Sequence, residues 1–399
     1  MSSIRHITLP AGFRAAGVQC GIKASGREDL ALIVGDDLVS AALMTTSNQV
    51  VGAPVLWCRR VLPAGAGRVR GIVINSGNSN VCTGRRGERD AGAMAAQAAR
   101  AVGAEPEQML VASTGIIGHL LPMAKVRRGI AAAAAALGRR DDRAVIRAIM
   151  TTDTREKSAV VRTRLGGAAV TVAGIAKGAG MIAPHLATMI AVITTDARVA
   201  PRLLGRLFRS AVAGSFNALT IDSDQSTSDT AAVFASGRAG RAIGPGPDER
   251  KFAAALAEVC GALTRAMARD GEGATRLVEV RVVGAASAAD ARVAAKAVAD
   301  SPLVKCAVHG RDPNWGRIVM AVGKSAARVD PSRLGVKIGG VRVFARGRPA
   351  PFAAAAVRRH LGGQTVVIDV DLHLGRGAFT AYTCDLSREY ITINADYHT

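Results

Sequence analysis

The stretch KGAGMIAPHLATMIAVITTDA, residues 177–197, combines a glycine-rich approach, a proline and an apolar, β-branched run. The run that begins at Thr188 predicts a buried strand, but a buried strand does not require a Lys-Gly-Ala-Gly approach. A Walker phosphate loop places its lysine after the glycines, whereas Lys177 precedes them. The stretch therefore predicts a buried strand that begins at Thr188 and is preceded by an unusual glycine-rich loop.

Thr188 is a candidate nucleophile. The sequence contains no G-x-S-x-G elbow and no histidine spaced with a serine or cysteine as in the familiar triads. A threonine hydroxyl can act without histidine when the α-amino group of the same residue, with a reference pKa of about 8, serves as the base. Because Thr188 is internal, this chemistry first requires cleavage of the Ala187–Thr188 bond.

The segments on either side of this stretch predict interleaved strands and helices. Two apolar runs joined by Gly166-Gly167 predict a hairpin that leads to Lys177. Further strands are expected over 70–75, 107–112, 188–195 and 275–283, and helices over 89–102, 122–137, 141–150, from Pro201, 249–268 and 287–299. Because hairpins join several strands, the pattern favours a layered α/β (α+β) fold over a doubly wound parallel sheet.

Five polar loops at the ends of core elements are candidates for a functional site. They are NSGNSN (75–80), STGIIG (113–118), TTDT (151–154), KGAGMIAPHLAT (177–188) and DGEGATR (270–276). Each loop alone is explained by a turn, a helix cap or a helix exit. Together, with the carboxylate of Glu272 between glycines, they favour a site assembled from loops. The segment HGRDPNWGR (309–317) is as polar, but a packed Trp315 with an Arg–Asp pair explains it equally well.

The basic net charge first suggests a nucleic-acid-binding protein, but the arrangement of the charged residues does not support one, and a membrane protein is not indicated either. The 399 residues carry a formal net charge of +21 and only 3% aromatic residues. The arginine pairs are scattered and lack interleaved aromatic residues, so a nucleic-acid-binding stripe is not indicated. No apolar segment reaches the length of a membrane span, and the N-terminus lacks the apolar region of a signal peptide. We therefore expect a cytoplasmic protein that binds neither nucleic acid nor membrane.

The six cysteines indicate neither disulfides nor a metal site. They are Cys20, Cys58, Cys82, Cys260, Cys306 and Cys384. None forms a C-x-x-C pair, and no histidines cluster near them. Buried free thiols in a reducing compartment are therefore expected.

Taken together, the motifs resemble the ornithine acetyltransferase / glutamate N-acetyltransferase family of arginine biosynthesis (ArgJ family), a self-cleaving, N-terminal-nucleophile type. The resemblance covers essentially the whole chain, since GFRAAGVQCGIK, NSGNSNVCTG, STGIIG, TTDT, SFNALTIDSDQSTSDT, DGEGATR, HGRDPNWGRI and INADYHT occur in the family's order. It implies an αββα-type sandwich, as in N-terminal-nucleophile folds, with a smaller C-terminal α/β lobe from about residue 280. It also implies cleavage into an α chain, 1–187, and a β chain, 188–399.

The resemblance implies a role for individual residues of these motifs. Thr188 resembles the nucleophile, and the Thr114 side chain with the Gly115 backbone N–H resembles the oxyanion hole. The implied substrate-binding positions are Thr151 or Thr152, Lys177, Thr188, Glu272, Asn394 and Thr399. A substrate carboxylate suits Lys177, and a substrate ammonium group suits Glu272.

The implied reaction is ping-pong acetyl transfer. N2-acetyl-L-ornithine acetylates Thr188 and L-glutamate then accepts the acetyl group, while acetyl-CoA serves some relatives as a donor. No metal or organic cofactor is implied, and the α and β chains are expected to assemble as α2β2 or a larger form. Two alternatives stay open. One is an N-terminal-nucleophile amidase or aminopeptidase, in which water takes the acyl group; the other is a basic nucleic-acid-binding protein, which the scattered arginines disfavour.

Overall fold

The computed structural model describes residues 6–139, 142–183 and 189–396. Its strands are β1 Phe13–Val18, β2 Leu30–Thr45, β3 Ala66–Asn78, β4 Met109–Ile116, β5 Lys157–Leu165, β6 Ala168–Lys177, β7 Ile190–Ala197, β8 Thr230–Ala239, β9 Leu277–Ala285, β10 Gly335–Ile338, β11 Val341–Ala345, β12 Arg348–Pro349, β13 Thr365–Asp371 and β14 Gly377–Cys384. Its α-helices are α1 Ala53–Val61, α2 Gly84–Ala101, α3 Met123–Ala135, α4 Arg143–Ile149, α5 Pro201–Ala213, α6 Pro247–Arg269, α7 Ala288–Ala299, α8 Pro302–His309, α9 Trp315–Gly323, α10 Ala354–Leu361 and α11 Arg388–Asp396. The strands form two sheets, one of β1–β8 and one of β9–β14.

The larger sheet bends along β2. Its strand order is β4-β3-β2-β8-β7-β6-β5, and β1 pairs with the first part of β2. Residues 30–34 pair with β1 and β3, and after an irregularity between Val34 and Val39, residues 40–45 pair with β8. An irregularity of this kind bends a strand, so β2 takes part in two β layers.

Alternating apolar side chains pack between these two layers and on their outer faces. Ile33 and Ile74 from one layer share a core with Val192 and Phe234 from the other. Helices α2 and α3 cover the outer face of the first layer, and α5 and α6 cover that of the second. The order helix, sheet, sheet, helix confirms the predicted αββα-type layered fold.

A smaller lobe follows α6. Its sheet has the order β12-β11-β10-β13-β9-β14. A separate apolar cluster fills this lobe, with side chains from the sheet and from α7, α8, α9 and α10. Lys305 of α8 joins the two lobes, because its buried Nζ donates to Thr383 Oγ1 at 2.9 Å and to the carbonyl oxygen of Ile221.

Several predicted local elements are present. Gly166 and Gly167 both have positive φ and form the turn of the β5–β6 hairpin. Helix α5 begins at Pro201, as predicted. Helix α2 begins at Gly84 rather than at residue 89. Its first turn is polar and largely exposed, so the apolar periodicity does not show where it starts.

The sequence expectation that the cysteines are buried needs correction. Cys82 and Cys306 are exposed, whereas Cys58, Cys260 and Cys384 are buried. The expectation of buried thiols is wrong for the first two, because Cys82 lies in a loop and Cys306 on the solvent side of α8.

The HGRDPNWGR segment is explained by packing, though only partly as expected. Trp315 stacks on Phe344 with ring centroids 5.0 Å apart. Arg317 donates to the carbonyl oxygen of Leu303 at 2.8 Å. Within the described part of the chain, no arginine of this segment forms an ion pair with its aspartate. Of the alternative considered for this segment, the structure therefore shows the packed Trp315 but, among the described residues, no Arg–Asp pair.

Helix α6 is long and amphipathic. It has 23 residues, and apolar side chains spaced three or four apart, such as Phe252, Leu256, Val259 and Leu263, are buried. Among the helices that the structure describes, none is both long and apolar enough to cross a membrane.

Candidate active site

One cavity, with a volume of 490 Å³, lies where the ends of β4 and β6 meet the loops after α4 and α6. The predicted positions that line it are Thr114, Gly115, Thr151, Thr152, Lys177, Glu272 and Asn394. The NSGNSN loop contributes Ser79. All five candidate loops therefore meet at one place. Both candidate threonines of TTDT line the cavity, and the substrate roles of all these residues stay predictions.

The end of β4 brings Thr114 and Gly115 to the cavity. β3 and β4 pair in parallel with Gly77 opposite Gly115, and the register shifts at Asn78. Gly115 has a φ of +126°, and a Cβ atom there would lie 2.4 Å from the carbonyl carbon of Gly77. Only glycine fits this backbone. The close approach of the two strands holds the N–H of Gly115 in place, as an oxyanion-hole donor requires.

Polar side chains of the NSGNSN loop hold the ends of β3 and β4 together. Ser113 Oγ donates to Asn75 Oδ1 at 2.6 Å, and Asn75 Nδ2 donates to the carbonyl oxygen of Asn78 at 2.8 Å. Ser79 Oγ donates to the carbonyl oxygen of Ile116 at 2.8 Å. Buried polar groups need hydrogen-bond partners. The polar residues of this loop are therefore explained by the bonds with which they hold the end of β4.

Lys177, the last residue of β6, is a buried cation at the cavity. It is 2% exposed, and its Nζ donates to Thr114 Oγ1 at 3.4 Å. Burial lowers the pKa of Lys177, and the charge of Asp153 opposes this shift. A shielded ammonium group beside a hydroxyl is suited to binding a carboxylate.

A buried ion network joins three of the loops. Lys157 Nζ lies 2.6 Å from Asp153 Oδ1 and also contacts Asp270. Asp153 accepts the backbone N–H of Gly178 at 2.7 Å, and Asp270 accepts that of Thr154 at 3.1 Å. The network therefore fixes TTDT relative to the glycine-rich approach and to DGEGATR.

Replacing Asp153 with asparagine is expected to destabilise the protein. Burial alone would raise the pKa of Asp153, but the charges of Lys177 and Lys157 outweigh it and lower the pKa to about 2. Removing one partner of a buried ion pair costs about 3–5 kcal/mol. Since the folded pKa lies below the ordinary value of 3.8, the contribution is present above about pH 4 and is lost as the pH falls toward 2. Urea unfolding at about pH 7 and about pH 3 measures the difference.

Asp37→Asn is the matched control for this prediction. Asp37 forms an exposed ion pair with Arg238, and exposed pairs contribute at most about 1 kcal/mol. Its free energy of unfolding should stay near that of the wild type at both pH values. If Asp153→Asn were as stable as this control at both, the network would not support the TTDT loop.

Glu272 lies against the backbone of the glycine-rich approach. A Cβ atom on Gly180 would come 2.3 Å from Glu272 Oε2, so glycine there leaves room for the carboxylate. The N–H of Glu272 donates to the carbonyl oxygen of Ala179 at 2.8 Å. Asn394 of α11 donates from Nδ2 to Glu272 Oε2 at 2.9 Å. Two of the predicted substrate-binding residues are thus in direct contact.

Asp222 and Tyr390 line the cavity without having been predicted. Asp222 accepts the backbone N–H groups of Met181 at 2.6 Å and Ile182 at 2.8 Å, and the Tyr390 hydroxyl lies 3.4 Å from it. Burial raises the pKa of Asp222; burial and the Asp222 charge raise the pKa of Tyr390. The other lining residues are Ile117, Gly180 and Met181, which belong to the predicted loops, and Asp224, Gln225, Ser226, Thr227 and Ser228. The signal for most of them was the polar run SFNALTIDSDQSTSDT, 215–230.

Three predicted positions, Ala187, Thr188 and Thr399, lie outside the described residues, so their roles stay predictions. The next described residue is Met189, just before β7. Ile190, the first residue of β7, pairs with Lys177 of β6. The chain that follows Thr188 is therefore fixed one strand away from the buried lysine.

The cavity presents charges of both signs. Among its described lining residues, Lys177 is the cation, and Asp222, Asp224 and Glu272 are the carboxylates. Such a site can hold a ligand with a carboxylate and an ammonium group, as amino acids have. The donors at Thr114 and Gly115 suit an oxyanion. The arrangement is therefore suited to acyl chemistry on an amino-acid substrate.

Comparison with known proteins gives a consistent result. Residues 14–399 match the model of the ArgJ family. The arginine biosynthesis bifunctional protein ArgJ of Symbiobacterium thermophilum is 48% identical over 397 residues, covering 98% of each chain. That of Geobacter sulfurreducens is 46% identical over 395 residues, covering 97% of this chain and 99% of its own. The solved structure of the Bacillus halodurans arginine biosynthesis bifunctional protein has a TM-score of 0.50 and 38% identity, covering 51% of this chain and 97% of its own.

Proposed function

The chain belongs to the ArgJ family, and we propose that it is an acetyltransferase of arginine biosynthesis that moves an acetyl group from N2-acetyl-L-ornithine to L-glutamate. The reaction is ping-pong through an acetyl ester on Thr188, after cleavage of the Ala187–Thr188 bond. The observation that carries the proposal is the meeting of Lys177, Glu272 and the β4 end at one cavity. The names of the relatives, which state arginine biosynthesis, support the pathway.

Cleavage of the chain is the first proposed reaction. The hydroxyl oxygen of Thr188 attacks the carbonyl carbon of Ala187, its proton passes to the amide nitrogen, and the C–N bond breaks to leave an ester. Water hydrolyses this ester and yields a carboxylate on Ala187 and a free hydroxyl and amino group on Thr188. In the solved Bacillus halodurans structure, 97% of the chain is matched by 51% of the present chain. The length of that solved chain therefore suits one product of such a cleavage.

Acetyl transfer then uses the new amino group as a base. It takes the proton of the Thr188 hydroxyl while the oxygen attacks the acetyl carbonyl of acetylornithine. Thr114 and the Gly115 N–H stabilise the oxyanion, and the ammonium group returns the proton to the departing amine of ornithine. The amino group of glutamate then attacks the acetyl ester in the same way. Loss of one oxyanion donor costs about 3 kcal/mol in comparable enzymes.

Lys177 and Glu272 are proposed to bind opposite ends of acetylornithine. The α-carboxylate faces the buried ammonium of Lys177, and the side-chain ammonium faces the carboxylate of Glu272. Hydrogen bonds between charged groups are about twice as strong as neutral ones. The two charges therefore orient the acetyl group toward the β4 end.

Ornithine release from acetylornithine, with and without glutamate, tests the proposed function. We expect release that depends on glutamate and forms an equal amount of N-acetylglutamate. Release of ornithine and acetate without glutamate would instead support the amidase alternative. Formation of N-acetylglutamate from acetyl-CoA and glutamate, with no acetylornithine present, decides whether this chain uses the second donor.

Replacing Glu272 with glutamine is expected to weaken acetylornithine binding selectively. A hydrogen bond to a charged group contributes about 1.5–3 kcal/mol, so KM for acetylornithine should rise about 10-fold to 100-fold. KM for glutamate should not rise, because glutamate carries no side-chain ammonium group. Steady-state kinetics with each substrate varied in turn measure the two values.

Glu258→Gln is the matched control, because Glu258 is exposed on α6 and does not line the cavity. It should leave both KM values unchanged. An equal rise of both KM values in Glu272→Gln would show that Glu272 supports the site without recognising the ammonium group.

The proposal extends to assembly and location. The α and β chains are proposed to form α2β2 or a larger complex in the cytoplasm, where amino-acid biosynthesis takes place. The proposed chemistry uses no metal and no organic cofactor. Native mass measurement of the purified protein determines the assembly.

A further inference from the structure

A second cavity, with a volume of 620 Å³, lies at the start of α5. It shares no lining residue with the candidate active site. Three arginines line it, Arg68 of β3, Arg198 after β7 and Arg238 of β8, and Asp37 is the one carboxylate among its described lining residues. Because the cations outnumber the carboxylate, the cavity favours an anion.

Two of the three arginines keep hydrogen-bond donors available for a ligand. Arg68 is exposed and forms no ion pair or side-chain hydrogen bond with the described residues. Arg198 donates from Nε to the carbonyl oxygen of Gly237 at 3.4 Å, which leaves its two terminal nitrogens. Arg238 pairs with Asp37, so the carboxylate of the cavity is already engaged. Guanidinium groups bind phosphate through paired N–H bonds.

The strand register places a buried hydroxyl group next to Arg68. Ser40 of β2 lies directly opposite Arg68 of β3 and Ala235 of β8. Ser40 is 8% exposed and lines the cavity, and its hydroxyl group has no hydrogen-bond partner among the described residues. Buried polar groups ordinarily have a partner. The hydroxyl group of Ser40 is therefore suited to a ligand in this cavity.

Helix α5 begins at the edge of the same cavity. Val199 and Ala200, which lead into the helix, are lining residues. No side chain caps the 13-residue helix, and its first turn contains no acidic residue. It contains Arg202 instead, a cation at the end where the helix dipole favours an anion. The N–H groups at a helix N-terminus bind phosphate, so an anion here would offset both charges.

We infer that this cavity binds a phosphate-bearing small molecule, at a site separate from the proposed acetyl transfer. The phosphoryl group accepts hydrogen bonds from Arg68, Arg198 and Ser40 and lies against the first turn of α5. Small-molecule sites have volumes of about 300–1,000 Å³, so the cavity has room for more than a phosphate ion. Free phosphate and a nucleotide share this chemistry, and the test separates the two.

Calorimetric titration of the full-length protein with inorganic phosphate, pyrophosphate, ADP and citrate tests the inference. We expect a phosphate-bearing probe to bind at one site per chain, with an affinity that falls as sodium chloride is added. Arg68→Gln should weaken binding about 10-fold or more, because it removes charge-assisted hydrogen bonds. Ser40→Ala should weaken binding about threefold to tenfold. It should not lower the melting temperature of the ligand-free protein, because its hydroxyl group has no described partner.

Arg162→Gln is the matched control. Arg162 is an exposed arginine on β5 and lines neither cavity. It removes the same charge from the chain as Arg68→Gln, so the two variants separate a defined site from the general attraction of a basic protein for anions. Binding to Arg162→Gln should equal binding to the wild type.

The outcomes decide both the site and its ligand. Tighter binding of ADP than of inorganic phosphate identifies a nucleotide, and equal binding identifies free phosphate. Absence of binding, an affinity unchanged in Arg68→Gln or Ser40→Ala, or an equal loss in Arg162→Gln would overturn the inference. Tighter binding of citrate than of pyrophosphate would also overturn it. These variants should keep glutamate-dependent acetyl transfer, and a wild-type protein that transfers no acetyl group would refute the proposed function without affecting the binding result.

Discussion

Thr188→Ala is expected to remain one uncut chain of 41.0 kDa and to transfer no acetyl group. Alanine has no hydroxyl, so neither the ester with Ala187 nor the acetyl ester can form. Removal of a covalent nucleophile lowers kcat on the order of 10⁶-fold in a well-studied hydrolase, which here means loss of measurable transfer. A denaturing gel and intact mass report cleavage, and glutamate-dependent ornithine release reports transfer.

Thr188→Ser is the first control, because serine keeps the hydroxyl group. Thr171→Ala is the second control, because it removes a threonine from β6 away from the cavity. Both are expected to be cut and to transfer acetyl groups, the serine variant more slowly. A Thr188→Ala protein found as two fragments, or active as a single chain, would remove Thr188 from the mechanism.

Gly115→Ala is expected to lower kcat about 10²-fold to 10³-fold, the scale of a lost oxyanion donor. The added Cβ would lie 2.4 Å from the carbonyl carbon of Gly77 and 2.6 Å from the nitrogen of Asn78. Both contacts are with backbone atoms, so no side-chain rotation relieves them. Gly115 also has a φ of +126°, which alanine rarely adopts. The end of β4 must therefore shift and move the Thr114 and Gly115 donors.

Gly118→Ala separates backbone strain from displacement of the donors. Gly118 lies in the same loop with a φ of +87°, but a Cβ atom there meets nothing within 4 Å. Its kcat should stay within about threefold of wild type, because it carries only the conformational cost of about 1 kcal/mol. Equal activity losses in the two variants would show that loop strain, and not the β4 end, determines the rate.

Local chemistry made much of the fold predictable. The Gly166-Gly167 pair predicts a hairpin because both residues adopt positive φ at no steric cost, and Pro201 starts α5 because its fixed φ suits a first helical turn. The loops STGIIG, TTDT and DGEGATR were recognisable as small, polar segments at the ends of core elements. All three line one cavity in the structure, as a site assembled from loops requires.

The remaining features depend on contacts between distant segments. Asp270 binds Lys157 across more than a hundred residues of sequence, and nothing in the local pattern pairs these two residues. Asp222 reaches the cavity because it binds the backbone of Met181. The spacing of residues along the sequence does not predict this contact. The bend in β2 arises from an irregularity whose position is set by the strands that pair on either side of it.

The intact mass of the purified wild-type protein decides whether the chain is cut before Thr188. We expect two polypeptides whose masses add up to that of the whole chain plus one water, one of them with Thr188 as its first residue. A single unbroken chain of 41.0 kDa that still transfers acetyl groups to glutamate would show that transfer does not need a free amino terminus at Thr188.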